Sequence, residues 1–248
     1  MAHVPFGYRS VEPSTKRKLV EDVFTSVASR YDVMNDVMSL GIQRAWKQAL
    51  VQAIRPRTAI RARLSVLDVA TGSGDLAVRI AHAHTNSHVV ACDSTMSMLT
   101  HGRATRSSAD TLPLRWLVGD GESLPFANEQ FDVITNAFGL RNMTDYEQSL
   151  REAYRCLRSG GQFLALELSP VRDAVLKDLY QFYAFSCLPR MGQWITGNGD
   201  AYRYLAQSIQ RFAAPFDIKA ALGRAGFVDC RATPYTFKAV HLYHAIKE

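Results

Sequence analysis

The segment that most constrains the fold is residues 64–76, LSVLDVATGSGDL. Four of its first six residues are apolar, which predicts a buried strand. The glycines that follow predict a tight turn where the backbone approaches a ligand. Leu76, Ile80 and Ala83 recur at helical spacing, so a helix is predicted to begin near Asp75. This order of strand, turn and helix N-terminus is typical of nucleotide-binding α/β folds, whose ligand lies beyond the strand's carboxyl end.

Further strands and helices are predicted to alternate after this unit. The predicted strands are 88–93, 114–118, 131–137 and 162–168, with helices at 96–106 and at 144–157, the latter capped by Thr144. A last helix, 216–225, precedes two short strands, 227–233 and 237–246, with Pro234 marking the turn between them. Alternation of this kind predicts a doubly wound, mostly parallel sheet.

The remaining segments are predicted to cover this sheet. Residues 1–13 are expected to form an irregular arm, followed by helices from about 14 and over 42–54; residues 31–41 between them are too polar to be plain core. Residues 171–213 are helical, aromatic-rich and longer than a connection needs. Because no linker is evident, we expect a single domain, 1–248, with an N-terminal helical cap, 1–60, and a helical substrate lid, 171–213.

Composition argues against several classes of protein. No apolar run approaches about 18 residues, so no membrane-spanning helix is predicted. The N-terminus resembles neither a signal nor a transit peptide, which favours a cytoplasmic location. The four cysteines form no Cys-x-x-Cys pair, and His82 and His84 cannot share a helix face, so a zinc site is not expected.

The net charge of +6 raises the question of nucleic-acid binding. The densest basic cluster is Arg55, Arg57, Arg61 and Arg63, and no aromatic residue in it could stack on a base. A solvated face or attraction to anionic lipid headgroups explains the cluster equally well. No nucleic-acid partner is therefore predicted.

The glycine pattern alone does not identify the nucleotide. Gly72-x-Gly74-x-x-Ala77 fits a dinucleotide fingerprint, with Asp93 placed 19 residues after Gly74 to hold a ribose. However, Asp68 at the end of the first strand would repel a pyrophosphate, whereas it suits a cofactor that carries a sulfonium and an ammonium group. Asp120 follows the third strand, where it could meet an adenine amino group, and no Tyr-x-x-x-Lys pair for hydride transfer is present. These features favour S-adenosyl-L-methionine, with S-adenosyl-L-homocysteine as product.

Four further segments resemble the ubiquinone/menaquinone-biosynthesis C-methyltransferases, which are class I enzymes. They are residues 24–41 (FTSVASRYDVMNDVMSLG), 138–142 (FGLRN), 158–163 (RSGGQF) and 201–212 (AYRYLAQSIQRF). The resemblance implies a Rossmann-like sheet of seven strands with an antiparallel last strand. It also implies C-methylation of a benzoquinol or naphthoquinol ring.

The resemblance assigns residues to the cofactor and to catalysis. The residues expected at the cofactor are Asp68, Gly72, Ser73, Gly74, Asp93, Ser94, Met98, Asp120, Gly121 and Ala137. A quinol carbon becomes nucleophilic when the adjacent hydroxyl loses its proton. Arg141 is expected to stabilise the resulting phenolate as a fixed cation, Asn142 to orient it, and Tyr31 to cover the cofactor or touch the hydroxyl. Alternatively, Arg141 pairs with Asp145 on the next helix.

Two positions depart from the family pattern. Thr71 stands where a further glycine is usual, and Phe237-Lys238 stand where the family has small or glycine residues. Because that last segment faces the substrate in the family, Phe237 and Lys238 are expected to reshape or fill the acceptor pocket. The substrate is therefore less firmly implied than the methyl transfer.

Two other functions stay open at this point. One is a diverged methyltransferase that acts on another aromatic or heterocyclic acceptor; the other is a non-catalytic, cofactor-binding scaffold of a quinone-synthesis complex. The aromatic lid and the scattered basic residues favour a protein that takes a prenylated substrate from a membrane surface without inserting. The sequence leaves open a homodimer or a quinone-biosynthesis complex.

Overall fold

The computed structural model describes residues 3–55, 63–106, 112–173 and 176–248. Its strands are β1 (Val4–Phe6), β2 (Arg9–Val11), β3 (Leu64–Val69), β4 (Ser87–Asp93), β5 (Leu114–Val118), β6 (Phe131–Ala137), β7 (Leu157–Leu168), β8 (Val228–Tyr235) and β9 (Val240–Ile246). Its helices are α1 (Pro13–Val27), α2 (Tyr31–Ser39), α3 (Gln43–Gln52), α4 (Asp75–Ala83), α5 (Met96–Thr105), α6 (Tyr146–Cys156), α7 (Lys177–Phe182), α8 (Leu188–Thr196), α9 (Gly199–Arg211) and α10 (Pro215–Arg224). Arg57 and Arg61 of the predicted basic cluster lie outside the described residues.

Seven strands form one sheet in the order β5-β4-β3-β6-β7-β9-β8. Every pair is parallel except β7 with β9 and β9 with β8. The strand order reverses at β3, which pairs with β4 on one side and β6 on the other. Ligands of doubly wound sheets bind in the crevice at such a switch point. The predicted seven-stranded, mostly parallel architecture is confirmed.

Helices cover both faces of the sheet because successive strand residues point to opposite sides. Val66 packs with Leu50 of α3 and Ile80 of α4, whereas its neighbour Leu67 packs with Leu150 of α6 on the other face. All five side chains are fully buried. The two apolar clusters fix the strands whose carboxyl ends form the site.

Two predictions about local structure are wrong. The part of the predicted irregular arm that the structure describes, residues 3–13, is not irregular, since β1 and β2 form an antiparallel hairpin before α1. The polar segment after Arg30, for which no helix was predicted, forms α2, and only Met34 of that helix is buried, as expected of a segment that is not plain core. Pro234 does not mark the turn but lies within β8, an edge strand, where a missing N–H is tolerated.

The start of α6 and the start of β7 also differ from prediction. Asp145, not Thr144, caps α6, and its carboxylate accepts a hydrogen bond from Gln148 N at 3.0 Å. The strand β7 begins at Leu157, five residues before the predicted position, and a register irregularity separates its first pairing with β6 from the rest. Residues 159–161 interrupt the regular pairing with β6, although they lie within the bounds of β7.

Candidate cofactor and acceptor site

The turn after β3 reverses the chain through left-handed backbone at three positions. Ala70, Gly72 and Gly74 have φ values of 52°, 60° and 77°. A Cβ on Gly74 would lie 2.2 Å from Trp116 Cη2, so only glycine fits against this ring. Gly74 then caps α4, whose N-terminal backbone N–H groups point out of the turn.

Asp68 lies beneath this turn and is 1% exposed. Its Oδ1 accepts a hydrogen bond from the Thr135 hydroxyl at 2.6 Å, and its Oδ2 accepts one from the Thr71 hydroxyl at 2.5 Å. Burial raises the pKa of Asp68 to about 6, although the two hydroxyls and Lys47 oppose that rise. Asp68 therefore supplies a buried negative charge near neutral pH, close behind the cavity.

Asp93 ends β4 and faces the cavity directly. Its Oδ2 accepts a hydrogen bond from Gly72 N and its Oδ1 from Thr95 N, both at 2.8 Å. Burial raises the pKa of this carboxyl group, while the two backbone donors lower it. Because a carboxylate oxygen can accept more than one bond, each oxygen retains capacity for a ribose hydroxyl.

Asp120 follows β5 on the far side of the cavity. Its Oδ1 accepts a hydrogen bond from Glu122 N at 2.8 Å, and its Oδ2 lies 3.3 Å from Arg17 Nη2. Arg17 Nη2 also donates to Glu122 Oε2 at 3.2 Å. The acid predicted for adenine is thus beside a cation from α1.

The cavity joins the glycine-rich turn to the ends of β4, β5 and β6. Its lining includes eight of the predicted site residues: Tyr31, Gly72, Asp93, Ser94, Asp120, Gly121, Ala137 and Asn142. Within the described chain, Asp68, Ser73, Gly74, Met98 and Arg141 are not among the lining residues. A cleft lined by three strand ends and a glycine turn can hold an elongated, polar cofactor.

Ser73 and Met98 support the turn from behind. The Ser73 hydroxyl is buried and donates to Asp32 Oδ1 at 2.7 Å. Met98 is 1% exposed, and its Cε would lie 3.4 Å from a Cβ on Gly72. Both residues shape the turn in this structure.

The residues of α1 that form the roof of the cavity were not among the predicted site residues. Four residues of α1 line it, namely Arg17, Val20, Glu21 and Phe24. Their spacing of i, i+3, i+4 and i+7 places them on one helix face. The mixed polarity of that face could have indicated that it lines a cavity, because a face that packs only into core would not carry Arg17 and Glu21.

Arg141 and Asn142 follow β6, but they face different surroundings. Arg141 forms a buried ion pair with Glu167, Nη1 to Oε1 at 2.7 Å, so the alternative pairing with Asp145 is wrong. Its Nε is buried and has no hydrogen-bond acceptor among the described residues. Asn142 lines the cavity, and its Oδ1 accepts a hydrogen bond from the Tyr204 hydroxyl at 3.1 Å.

Aromatic rings surround this second part of the site. Tyr31 packs edge-on against Phe24, with ring centroids 5.8 Å apart. Burial raises the pKa of Tyr204 to about 12, so this phenol stays protonated and donates to Asn142. Burial also raises the pKa of Tyr180 to about 12, and the nearby Arg141 charge opposes the rise.

Phe237 and Lys238, which depart from the family pattern, do not fill the cavity. Phe237 is 75% exposed, and in the described chain neither it nor Lys238 is among the lining residues. The turn is held instead by the Thr236 hydroxyl, which accepts a hydrogen bond from Trp46 Nε1 at 3.0 Å. The expectation that this pair blocks the pocket is therefore wrong for the cavity described here.

The fold, together with the match to a family model and to named relatives, defines an S-adenosylmethionine-dependent methyltransferase. The chain belongs to the ubiE/COQ5 methyltransferase family, whose model matches residues 12–247.

Individual relatives agree with this assignment. The chain is 42% identical over 244 residues to the ubiquinone/menaquinone biosynthesis C-methyltransferase UbiE of Dinoroseobacter shibae, covering 98% of this chain and 96% of the relative. It is 42% identical to UbiE of Bartonella quintana, with 90% and 85% coverage.

Solved structures share the fold at low sequence identity. Phosphoethanolamine N-methyltransferase 2 of Haemonchus contortus, in complex with S-adenosyl-L-methionine, matches with a TM-score of 0.62 at 14% identity, covering 82% of this chain and 52% of that one. A SAM-dependent methyltransferase of Thermotoga maritima matches with a TM-score of 0.59 at 16% identity, with 92% and 100% coverage.

Proposed function

We propose that this enzyme transfers the methyl group of S-adenosylmethionine to a ring carbon of a quinol, in the synthesis of ubiquinone, menaquinone or both. The observation that carries the proposal is the identity of about 40% over most of the chain to several proteins named ubiquinone/menaquinone biosynthesis C-methyltransferase. The position of Asn142 in the cavity wall, next to Arg141, supports the same reaction.

Three acids would hold the cofactor, which supplies an electrophilic methyl group when it is bound. Asp93 would accept hydrogen bonds from the ribose hydroxyls, because both of its oxygens are fixed at the cavity wall by backbone donors. Asp120 would accept one from the adenine amino group. Asp68 would attract the positively charged end through its field, since its own oxygens are bound to two hydroxyls.

Glycine and other small residues would allow the cofactor to approach the backbone of the turn closely. Gly72 lines the cavity, and the nearest atoms to a Cβ built there are 3.4 Å away or more, so the turn itself leaves a cradle for the ligand. Ser94, Gly121 and Ala137 line the same wall. Ser73, Gly74 and Met98 would act on the cofactor indirectly, by holding the turn in place.

Arg141 would stabilise negative charge on the acceptor. Loss of the hydroxyl proton makes the adjacent ring carbon nucleophilic, and a fixed cation lowers the free energy of the phenolate. The guanidinium is a poor base because its pKa is above about 12. Its ion pair with Glu167 leaves the buried Nε–H free to donate a hydrogen bond. Asn142 lines the cavity and would orient that oxygen, Arg141 would act on it from behind the cavity wall, and Tyr31 would hold the ring against the cofactor.

The segment 171–213 would act as a lid for the acceptor. Tyr204 of α9 donates a hydrogen bond to Asn142, which ties this segment to the cavity wall. Phe6 of the N-terminal hairpin stacks on Tyr204 at 4.2 Å. The aromatic residues that line the cavity itself are Phe24, Tyr31 and Phe138, and such walls suit an apolar ring better than a polar acceptor.

Exposed apolar side chains would place the enzyme on a bilayer surface. Leu40, Ile42, Leu179, Phe182 and Phe237 are between 42% and 86% exposed. Two hydrogen bonds link the segments that carry these residues: Tyr183 to the Met38 carbonyl at 2.7 Å, and Trp46 to Thr236 at 3.0 Å. No helix in the described ranges is long and apolar enough to cross a membrane. These side chains would instead insert among the headgroups, within reach of the ring of a quinol whose prenyl tail stays in the bilayer.

Titration and product analysis test the function together. S-adenosylmethionine should bind the purified enzyme in a calorimetric titration, and mass spectrometry should then detect a methylated product from a panel of reduced demethyl-benzoquinols and demethyl-naphthoquinols. Binding with turnover of another aromatic acceptor alone would favour a diverged methyltransferase. Binding without turnover of any acceptor would favour the scaffold. Absence of binding would refute the proposal.

A further inference from the structure

Asp32 joins the N-terminal helices to the glycine-rich turn. Its Oδ1 accepts a hydrogen bond from the Ser73 hydroxyl at 2.7 Å, and its Oδ2 accepts one from Arg106 Nη2 at 2.5 Å. Asp32 lies in the first turn of α2, Ser73 in the turn after β3, and Arg106 just after α5. One carboxylate thus connects three segments that are distant in sequence.

Arg106 completes this connection from the other side. Its Nε donates to the Ser73 carbonyl at 2.9 Å, and its Nη2 also lies 3.2 Å from the Ser73 hydroxyl. The two side chains are partly buried, at 19% exposed for Arg106 and 37% for Asp32. We refer to Asp32, Ser73 and Arg106 as the clasp.

The backbone around the clasp is packed too tightly to move independently. A Cβ on Gly102 would lie 2.2 Å from the Ser73 carbonyl oxygen, so α5 contacts the turn directly. Ser73 is 2% exposed. Ser73 therefore cannot shift without moving α5.

The clasp is adjacent to a cavity residue. Tyr31 directly precedes Asp32, lines the cavity and lies 3.8 Å from the position of a Cβ on Gly72. We propose that Asp32 is a positioning residue for methyl transfer, which fixes Tyr31 and the glycine-rich turn relative to each other. The ligands that it serves are the adenosyl cofactor and, through Tyr31, the aromatic acceptor. The acceptor part rests on the proposed function.

The chemistry of the clasp requires a carboxylate. Asp32 receives two donors of different kinds, one on each oxygen, and shares the neutralisation of the Arg106 guanidinium with Asp75, whose Oδ1 lies 3.7 Å from Arg106 Nη1. In Asp32→Asn, the amide keeps one acceptor and places an NH₂ group against a donor. The substitution thus breaks part of the clasp with little change in volume.

Asp36→Asn is the matched control. Asp36 lies one turn further along the same helix and is also salt-bridged, to Arg44, but this pair does not contact the glycine-rich turn. A general loss of helix stability would appear in both variants. Thermal unfolding of each variant establishes that it is folded at the assay temperature.

Cofactor affinity is the first measurement, and it needs no acceptor. We expect Asp32→Asn to weaken binding of S-adenosylmethionine at least fivefold in a calorimetric titration, while Asp36→Asn stays within twofold of the parent. Equal affinities in the two folded variants would overturn the proposal. The affinity comparison tests the clasp even if no quinol is turned over.

Turnover with and without the Tyr31 side chain is the second measurement. At saturating cofactor, Tyr31→Ala and Asp32→Asn should each lower kcat, and the double variant should lose little beyond Tyr31→Ala, because Asp32 acts on the acceptor through that ring. Multiplicative losses would show that Asp32 acts independently and would contradict the acceptor part. Turnover unaffected by Tyr31→Ala would instead count against the role of Tyr31 in the proposed function. The result of the affinity comparison would stand in that case.

Discussion

The guanidinium of Arg141 and the carboxylate of Glu167 form a buried ion pair, with Nη1 2.7 Å from Oε1. The Glu167 side chain is 0% exposed, and its Oε2 also accepts a hydrogen bond from the Arg141 backbone N–H at 3.1 Å. Arg141 is therefore anchored at both backbone and side chain. This anchoring suits a cation that stabilises developing charge and does not suit a group that must move to carry a proton.

Replacement of Arg141 should affect stability and catalysis separately. Arg141→Ala leaves the Glu167 carboxylate buried without its partner, so unfolding free energy should fall by about 3–5 kcal/mol. The double variant Arg141→Ala/Glu167→Gln removes that unpaired charge and should recover most of the loss in urea denaturation. In this folded background, turnover should fall at least tenfold while cofactor affinity stays nearly unchanged. Full turnover in the double variant would remove Arg141 from the mechanism.

Cofactor affinity should depend on pH through Asp68. Because the pKa of Asp68 is raised to about 6, the residue becomes protonated and loses its negative charge as pH falls through that value. Affinity for the cationic S-adenosylmethionine should therefore fall between about pH 7 and pH 5. Calorimetric titrations across this range measure the dependence.

Two comparisons isolate the Asp68 charge in this experiment. Asp68→Asn should bind more weakly at pH 7 and show a flatter profile. S-adenosylhomocysteine, which lacks the sulfonium charge, should show a smaller dependence with the parent enzyme. An identical profile for Asp68→Asn would assign the titration to another group, with Asp93 as the first candidate because burial raises its pKa too.

Arg17 should control the release of the cofactor in a salt-dependent way. It holds the cavity roof through Glu122 at 3.2 Å and Asp120 at 3.3 Å, and its side chain is 57% exposed. Exposed ion pairs are screened by salt. Stopped-flow release of S-adenosylhomocysteine should speed up severalfold in Arg17→Ala, and added salt should speed the parent more than the variant. Lys18→Ala, which alters the adjacent exposed cation of α1, should behave like the parent.

The parallel sheet was predictable because its strands are short apolar runs bounded by turn residues. The predicted strands 114–118 and 131–137 coincide with β5 and β6. The helix α2 was missed because its polar face is stabilised by remote partners: Asp32 bonds to Ser73, 41 residues away, and to Arg106, 74 residues away. Local periodicity cannot reveal such pairings.

The candidate site was likewise predictable only where local sequence determines it. Asp93 ends β4 and Asp120 follows β5, so parallel topology alone predicts that they meet at one edge of the sheet. Glu167, in contrast, lies inside an apolar strand, and its pairing with Arg141 depends on the order of β6 and β7 in the sheet. The α1 roof was missed because residues such as Val20 and Phe24 form a stripe that equally indicates packing against core.

The turn between β8 and β9 should gain stability from glycine. Phe237 and Lys238 have φ values of 53° and 65°, a left-handed conformation that costs a residue with a Cβ about 1–2 kcal/mol. Each glycine also gives the unfolded chain more backbone entropy than the parent residue does. This reduces the gain in stability by about 0.5–1 kcal/mol per glycine introduced. Phe237→Gly and Lys238→Gly should therefore each raise the unfolding free energy by about 0.5–1 kcal/mol in urea denaturation. Phe237→Ala removes the exposed ring but keeps the Cβ, so it should show no such gain. An equal gain in Phe237→Ala and Phe237→Gly would attribute the effect to the ring and not to the backbone.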